Sequence, residues 1–280
     1  MEKTQIGLMV NGLPGKMAWR VVELALEDSR FRLVPYSLTG PEITEQTVTV
    51  DGQEIALIRP DQRIEAIAAM GYSQGKFICA DFTLPDAVIP NARLYRAHGF
   101  PFVMGTTGGD REELNTIVET SDISAVIAQN MAKPIVGFLA MMQFAAENFP
   151  GLFAGYSLII RESHQQGKAD TSGTAKVMGK FFNKLGAKFT EEQIVSVRDP
   201  EFQEKSLGVP KEHLGGHGWH TYKLTSPDGT VGFEFVHNVN GRDVYALGAL
   251  DAVAFLDNKM KQGARGHAFT MVDVLKGQRG

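Results

Sequence analysis

The chain has 280 residues, enough for one large domain or two ordinary ones at about 100–200 residues each. Apolar residues make up 43% and charged residues 21%, so a large core can form without staples, and a net charge of −4 argues against a general polyanion binder. Cys79 is the single cysteine, which excludes a disulfide framework or a cysteine-based zinc site within one chain. Residues 1–4 show no signal-peptide pattern, and the most apolar stretch, 134–142, is far short of a membrane span. Together these features predict a reduced, soluble, cytoplasmic protein that engages neither nucleic acid nor membrane.

Residues 6–10 are a short apolar run and 12–15 a turn; 17–26 then carry Met17, Val21, Leu24 and Ala25 at helical spacing. Residues 31–37 read as a second strand. Residues 46–58 alternate around Asp51-Gly52, a strong hairpin-turn pair. Helices are predicted over 63–70 and, after Pro90, over 92–98; strands are predicted over 76–82, 100–105 and 123–128. Asp110 and Glu113 have the spacing of a capping box. This βαβα rhythm calls for a Rossmann-type parallel sheet with helices on both faces, ending near Asn130.

Residues 134–148 predict a long helix into a region of different pattern. A strand is expected over 156–161, a helix over 172–185 with Gly186 after it, and a strand over 193–198. Segments 220–225 and 231–237 flank Pro227-Asp228-Gly229 as a hairpin. The expectation is an α+β domain with an open, mostly antiparallel sheet, followed by a long helix over 244–260 closed by Gly263.

Between the first strand and first helix lies Val10-Asn11-Gly12-Leu13-Pro14-Gly15-Lys16-Met17-Ala18, a G-x-x-G-x-x-A variant of the dinucleotide fingerprint. Gly12 permits a sharp turn, Gly15 lets backbone amides approach a pyrophosphate at the helix N-terminus, and Ala18 permits close packing. Pro14 removes one amide donor from the commoner form. The bland alternative is a tight turn that binds nothing; its place at the first strand and helix favours a nucleotide. After the second strand no carboxylate occurs before Glu42; Ser37 and Thr39 offer neutral hydroxyls, and Lys16 offers charge. With no carboxylate to repel a 2′-phosphate, NADPH is favoured as cofactor and NADH is the alternative.

The stretch Glu162-Ser163-His164-Gln165-Gln166-Gly167-Lys168-Ala169-Asp170-Thr171-Ser172-Gly173-Thr174-Ala175 resembles the signature of the dihydrodipicolinate reductase family, E-x-H-x-x-x-K-x-D-x-x-S-G-T-A. Asp81-Phe82-Thr83-Leu84-Pro85, Gly105-Thr106-Thr107-Gly108 and Ala128-Gln129-Asn130-Met131 resemble the same family's nucleotide domain. Gln165, where many bacterial members have a second histidine, looks more like the plant-type branch. The residues themselves support the resemblance. Ser172-Gly173-Thr174 opens a helix whose amides suit a carboxylate, Lys168 adds a charge-assisted donor, and His164 ends a strand as a proton donor. Singly, each has an ordinary structural reading: a core histidine, a helix cap, a solvated lysine.

The resemblance implies reduction of 4-hydroxy-tetrahydrodipicolinate, a small cyclic dicarboxylate, in lysine and diaminopimelate biosynthesis. His164 and Lys168 would be catalytic; Ser172, Gly173, Thr174, Thr107, Gln165 and Arg242 would meet substrate. Asn11, Gly12, Gly15, Lys16, Met17, Ser37, Thr39, Phe82, Gly105, Thr106, Thr107, Ala128, Asn130 and Met131 would meet the cofactor. It also implies a cofactor domain of residues 1–130 onto which 242–280 returns, a substrate and oligomerisation domain of 131–241, and a homo-oligomer, tetramer or dimer. His217 and His220 sit three apart on a strand and so face opposite ways, which argues against a metal site. The alternatives are another two-domain NAD(P) dehydrogenase, which would lack the arrangement from His164 to Thr174, or a catalytically silent NADPH-binding paralogue.

Overall fold

The computed structural model describes residues 5–71 and 76–277, so the N-terminal reading of residues 1–4 lies outside the described residues. The chain forms two compact units, residues 1–136 with 243–280, and residues 137–242.

In the first unit, β1 (Ile6–Asn11) runs into α1 (Lys16–Glu27), which buries Ala18, Val21, Val22 and Ala25 on one face. The expected single second strand is two: β2 (Phe31–Leu33) pairs with β1, and β3 (Tyr36–Leu38) leaves that sheet. The break falls at Pro35, which has no amide to continue the ladder. A hairpin, β4 (Thr47–Val50) and β5 (Gln53–Ile58), turns through Asp51 and Gly52 at φ 46° and 82°, the positive pair a two-residue hairpin needs. Parallel pairing of β3 with β5 makes a small sheet of order β3-β5-β4.

The chain continues through α2 (Arg63–Ala69), β6 (Ile78–Asp81) and α3 (Val88–His98). Helix α3 starts ahead of the predicted residue 92, because Pro90 falls in its first turn, where no amide hydrogen bond is lost. Then come β7 (Phe102–Met104), α4 (Arg111–Glu119) and β8 (Ala125–Ile127). Asp110 caps α4 by accepting from the Glu113 amide at 3.0 Å. The main sheet is wholly parallel in the order β8-β7-β6-β1-β2. Its ligand-facing edge is therefore the carboxyl end of these strands, the edge on which open parallel sheets bind ligands.

Helix α5 (Lys133–Asn148) is followed in the second unit by β9 (Ser157–His164), α6 (Gly173–Lys184), β10 (Val195–Val197), α7 (Pro200–Phe202), β11 (His217–Thr225) and β12 (Gly232–Asn240). The sheet order is β10-β9-β11-β12; β11 is antiparallel to both neighbours and β10 is parallel to β9. Ile160, Tyr222 and Leu224 share a core with Ala175, Met178 and Phe182 of α6. Register places Glu162 opposite His220, and His220 opposite His237.

The chain then returns to the first unit. Helix α8 (Asp243–Lys261) buries Ala246, Ala249, Leu250 and Val253 in the core that α1 covers, β13 (Ala268–Phe269) adds a sixth parallel strand beside β8, and α9 (Met271–Gly277) ends the described residues. Gly248 lies on α8 against the backbone of Met131, and a Cβ there would overlap the Met131 carbonyl. Gly248→Ala is expected to destabilise the protein by about 1–3 kcal/mol, because backbone cannot rotate aside as a side chain can. Thermal unfolding of the variant checks this; an unchanged melting temperature would show that the helix shifts freely.

Candidate active site

In the first unit the carboxyl ends of the strands converge on a fully buried carboxylate, Asp81. Its Oδ1 accepts from the Thr83 amide (3.0 Å), Thr83 Oγ1 (2.7 Å) and Thr106 Oγ1 (3.0 Å). Its Oδ2 accepts from Asn91 Nδ2 (2.8 Å) and Tyr95 Oη (2.7 Å). Burial drives the Tyr95 phenol well above its usual range, so it stays a donor. Tyr95 in turn accepts from Asn11 Nδ2 at 2.8 Å, and Asn11 Oδ1 accepts from the Leu38 amide at 2.8 Å. The loops after β1, β6 and β7 are thus tied to one carboxylate.

The glycine turn sits on this base. Gly12 has φ 106°, and a Cβ there would strike the Phe82 carbonyl, so only glycine fits. Gly15 is the N-cap of α1 and its amide donates to the Gly12 carbonyl at 2.8 Å. A cleft of about 660 Å³ opens here, bordered by Gly12, Gly15, Thr39, Glu42, Arg63 and Phe82. A Cβ at Gly105 would overlap the Phe82 ring, which packs that loop closely on the cleft wall.

Several expected contacts turn inward instead. Ser37 Oγ accepts from the Leu13 amide (3.2 Å) and Thr39 Oγ1 donates to the Leu13 carbonyl (2.7 Å); both residues are buried, so their hydroxyls hold the turn. The side chains of Asn11 and Thr106 are engaged in the Asp81 network. Met131 lies in the hydrophobic core, Met17 packs against it, and Ala128 is buried with its amide on the Met104 carbonyl. Asn130 caps its own turn by accepting from the Ala132 amide at 2.8 Å. Lys16 is exposed and does not border the cleft, while Thr107 is exposed at its loop.

Three charged groups that sequence reasoning did not place in the cleft border it: Glu42, Arg63 and Asp86. Glu42 folds its carboxylate against Gly40. Arg63, from α2, donates to Asn91 Oδ1 (2.8 Å) and the Thr39 carbonyl (3.4 Å), and its buried Nε has no hydrogen-bond partner among the described residues. The positive-φ turn, the cleft and this unpartnered donor fit a dinucleotide with its phosphates at the head of α1. No spacing rule marked Arg63, because tertiary folding alone brings α2 to the glycine turn.

In the second unit β9 ends at His164, whose side chain is 16% exposed. Its Nδ1 bonds Glu162 Oε2 at 2.6 Å, and Glu162 is fully buried. Burial would push the Glu162 carboxyl up, but hydrogen bonds from His164, Arg198 and Ser196 outweigh it and hold the group well below the usual carboxylate range. Lys168 Nζ donates to Asp170 Oδ1 at 2.9 Å, and this bond lowers the Asp170 carboxyl. Asp170 is largely exposed, so the pair is open to exchange.

Ser172 is the N-cap of α6: its Oγ accepts from the Ala175 amide at 3.4 Å and bonds His220 Nε2 at 2.8 Å. Its hydroxyl is therefore engaged, whereas Gly173 beside it faces open space. Thr174 and Gln165 are half-buried nearby in sequence, and Arg242 lies against Gly216, at the sheet end that carries His164. His220 meets His164 edge-on at 5.2 Å and stacks on His237 at 4.5 Å, while His217 turns to the other face and bonds Ser163 Oγ at 2.8 Å. Burial drives His220 well below its usual value and His237 down to about 4, with His164 adding to both shifts.

The comparisons bear on this arrangement. The family model "Dihydrodipicolinate reductase, N-terminus" matches residues 6–131, and "Dihydrodipicolinate reductase, C-terminus" matches residues 135–275. The chain belongs to the dihydrodipicolinate reductase family. It is 48% identical over 271 residues to 4-hydroxy-tetrahydrodipicolinate reductase 2, chloroplastic, of Arabidopsis thaliana, covering 97% of this chain and 77% of that one. It is 30% identical over 283 residues to the 4-hydroxy-tetrahydrodipicolinate reductase of Herminiimonas arsenicoxydans, covering 97% and 98%. The fold matches a dipicolinate-bound dihydrodipicolinate reductase from Paenisporosarcina sp. TG-14, with TM-score 0.65, 18% identity and coverage of 96% and 99%. The higher identity to plant members agrees with the plant-type reading of Gln165. The cytoplasmic expectation is corrected: the plant relatives, at 44–48% identity, are named chloroplastic. Among the described residues no helix is long and apolar enough to cross a membrane.

The histidine pair makes a pH prediction for this reductase. His237 is held neutral in the fold down to about pH 4, whereas an unfolded histidine takes its proton near 6.5. Its contribution is fully present above that value, and declines as pH falls from about 6.5 toward 4 because the unfolded chain binds the proton first. His237→Gln is expected to flatten the pH dependence of stability across this window relative to the native chain. Denaturant titrations at several pH values check this; identical slopes for the two proteins would count against a neutral His237.

Proposed function

We propose that this chain reduces 4-hydroxy-tetrahydrodipicolinate to tetrahydrodipicolinate in lysine and diaminopimelate biosynthesis, using NADPH in preference to NADH. The observation that carries the reading is the His164 cluster: a strand-end imidazole held at Nδ1, with an exchangeable Lys168–Asp170 pair and the open N-terminus of α6 following it in the chain. The first unit serves the cofactor and the second serves the substrate. When bound, a reduced nicotinamide would supply the hydride for the ring carbon left electrophilic by loss of water.

The protein's residues bind, orient and move a proton. Lys168 exchanges Asp170 for a substrate carboxylate, and the backbone amides of Gly173 and Thr174 at the head of α6 add donors to it. His164, when protonated on both ring nitrogens, donates from Nε2, the nitrogen Glu162 does not engage, and is left as a neutral ring with its proton on Nδ1. Thr107, Gln165 and Arg242 supply further polar contacts to substrate. Gly12 and Gly15 cradle the pyrophosphate and Phe82 borders the same cleft, while the family resemblance assigns further backbone contacts to residues 105–107 and 128–131. Exposed Ile159, Val195 and Val236 share the sheet face turned from α6 and support a homo-oligomer, tetramer or dimer.

The assay generates substrate in place by condensing pyruvate with aspartate semialdehyde and follows nicotinamide absorbance. Consumption is expected to require both condensation partners; none at all would favour a silent paralogue. His164→Ala should lower kcat by about 10²–10⁴-fold, the range of general acid catalysis, with NADPH binding intact. Lys168→Ala should raise the substrate KM about tenfold, the worth of one charge-assisted hydrogen bond. Full turnover in both variants would sink the site assignment.

NADPH preference rests on Arg63, the cation bordering the cleft, in place of Lys16, Ser37 and Thr39. Arg63→Met should weaken NADPH binding by about 10–100-fold, the worth of a charge-assisted contact, and NADH binding far less. Glu42→Gln should shift preference further toward NADPH. Calorimetric titration of each cofactor reads both; equal losses for the two cofactors in Arg63→Met would refute the assignment.

A further inference from the structure

We infer that Glu162 and Arg198 form one positioning unit that sets the ring of His164 and, through the same guanidinium, the loop that carries Lys168. The inference rests on the reading of His164 as proton donor and of Lys168 as carboxylate holder. Glu162 divides its oxygens. Oε1 accepts from Arg198 Nη2 at 2.6 Å and Ser196 Oγ at 2.6 Å. Oε2 accepts from Arg198 Nη1 at 2.9 Å and bonds His164 Nδ1 at 2.6 Å. All four lone-pair directions of the carboxylate are thereby engaged. Rotation of the carboxylate would break the two-pronged bond to Arg198, so its approach to Nδ1 is fixed.

Arg198 carries the geometry further. Its Nε donates to the Lys168 carbonyl at 3.0 Å and its Nη2 to the Asp170 carbonyl at 3.2 Å. Nη1 also reaches the Val197 carbonyl at 2.9 Å, which anchors the guanidinium to β10. One planar cation thus holds both ends of the catalytic stretch, the imidazole through Glu162 and the lysine loop through its backbone. From the other side His164 is fixed by the ring of His220 at 5.2 Å and by Gln203 Nε2, which donates to the His164 carbonyl at 2.7 Å.

Stability alone is a poor account of this cluster. A buried ion pair is often no more stable than apolar residues of the same volume, because both charges lose water. What the ion pair provides and apolar packing does not is direction. A carboxylate on Nδ1 fixes the tautomer of a neutral imidazole and leaves Nε2 as the exchanging nitrogen. Lysine could replace the charge of Arg198 but not the fork that spans Glu162 and three carbonyls.

The test uses the full chain with NADPH. Glu162→Gln is expected to lower kcat by at least about tenfold and by no more than the ~10²–10⁴-fold that loss of a general acid costs, while substrate KM and NADPH affinity stay within about threefold. The ¹⁵N signals of the His164 ring should report a protonated Nδ1 in the neutral ring of the native protein and a tautomer mixture in Glu162→Gln. Glu162→Asp should recover part of kcat. Arg198→Lys should lower kcat and also raise substrate KM, because the Lys168 loop is released, with NADPH affinity kept as evidence of folding. Native kcat with an unchanged ring signal in Glu162→Gln would overturn the inference. So would an Arg198→Lys protein altered in melting temperature alone. His164→Ala at full turnover would instead overturn the underlying proton-donor reading, which separates the two failures.

Discussion

A carboxylate taken out of water must be ringed with donors, since an uncompensated buried charge is among the costliest arrangements in a protein. Each unit of this chain contains such a group at or near the carboxyl end of a strand, Asp81 on β6 and Glu162 on β9, both fully buried. The donors come from neighbouring loops. Asp81 gathers the loops after β6 and β7 directly, and that after β1 through Tyr95 and Asn11. Glu162 gathers β10 and, through Arg198, residues 168 and 170. Loops that would otherwise carry large conformational entropy are ordered before any ligand arrives.

This constraint explains which atoms are left for ligands. Where polar side chains are engaged with a buried acid or a turn, the groups facing outward are backbone amides and a few long cations. Thr106, Asn11 and Ser37 follow that pattern in the first unit, and Ser172 follows it in the second. Gly12 and Gly15 then matter because the turn leaves no room for a side chain, and Gly173 because it leaves the backbone at the head of α6 uncovered. A pyrophosphate and a carboxylate are both anions that such amides hold well.

The sequence carried the architecture, and particular residues show where it stopped. Asp51-Gly52 predicted its hairpin because the positive φ values that such a turn demands suit this pair. The break at Pro35 was equally visible, yet an apolar run through it looked like one strand. The stretch from Glu162 to Thr174 stood out through its resemblance to a family signature, and the fold sets it on one strand end, one loop and one helix start. The hydroxyls of Ser37 and Thr39 turn to the Leu13 backbone, a direction that residue type alone does not give. Arg63 and Arg198 lay beyond local reading, since each reaches its partners through contacts 28 and 36 residues away.

The histidines of the second unit show how one imidazole is singled out among several. His217 and His220 are each 4% exposed, and burial holds both rings below their usual value, so they stay neutral at the pH where a fully solvated ring would begin to charge. A cation at His220 would lie 5.2 Å from His164 in a setting poor in water, where like charges repel strongly. Keeping that neighbour neutral removes the repulsion, while Glu162 hydrogen-bonds the ring of His164 directly. His164 also has the more open side chain of that pair. Access and a direct carboxylate partner therefore distinguish it at the last residue of β9.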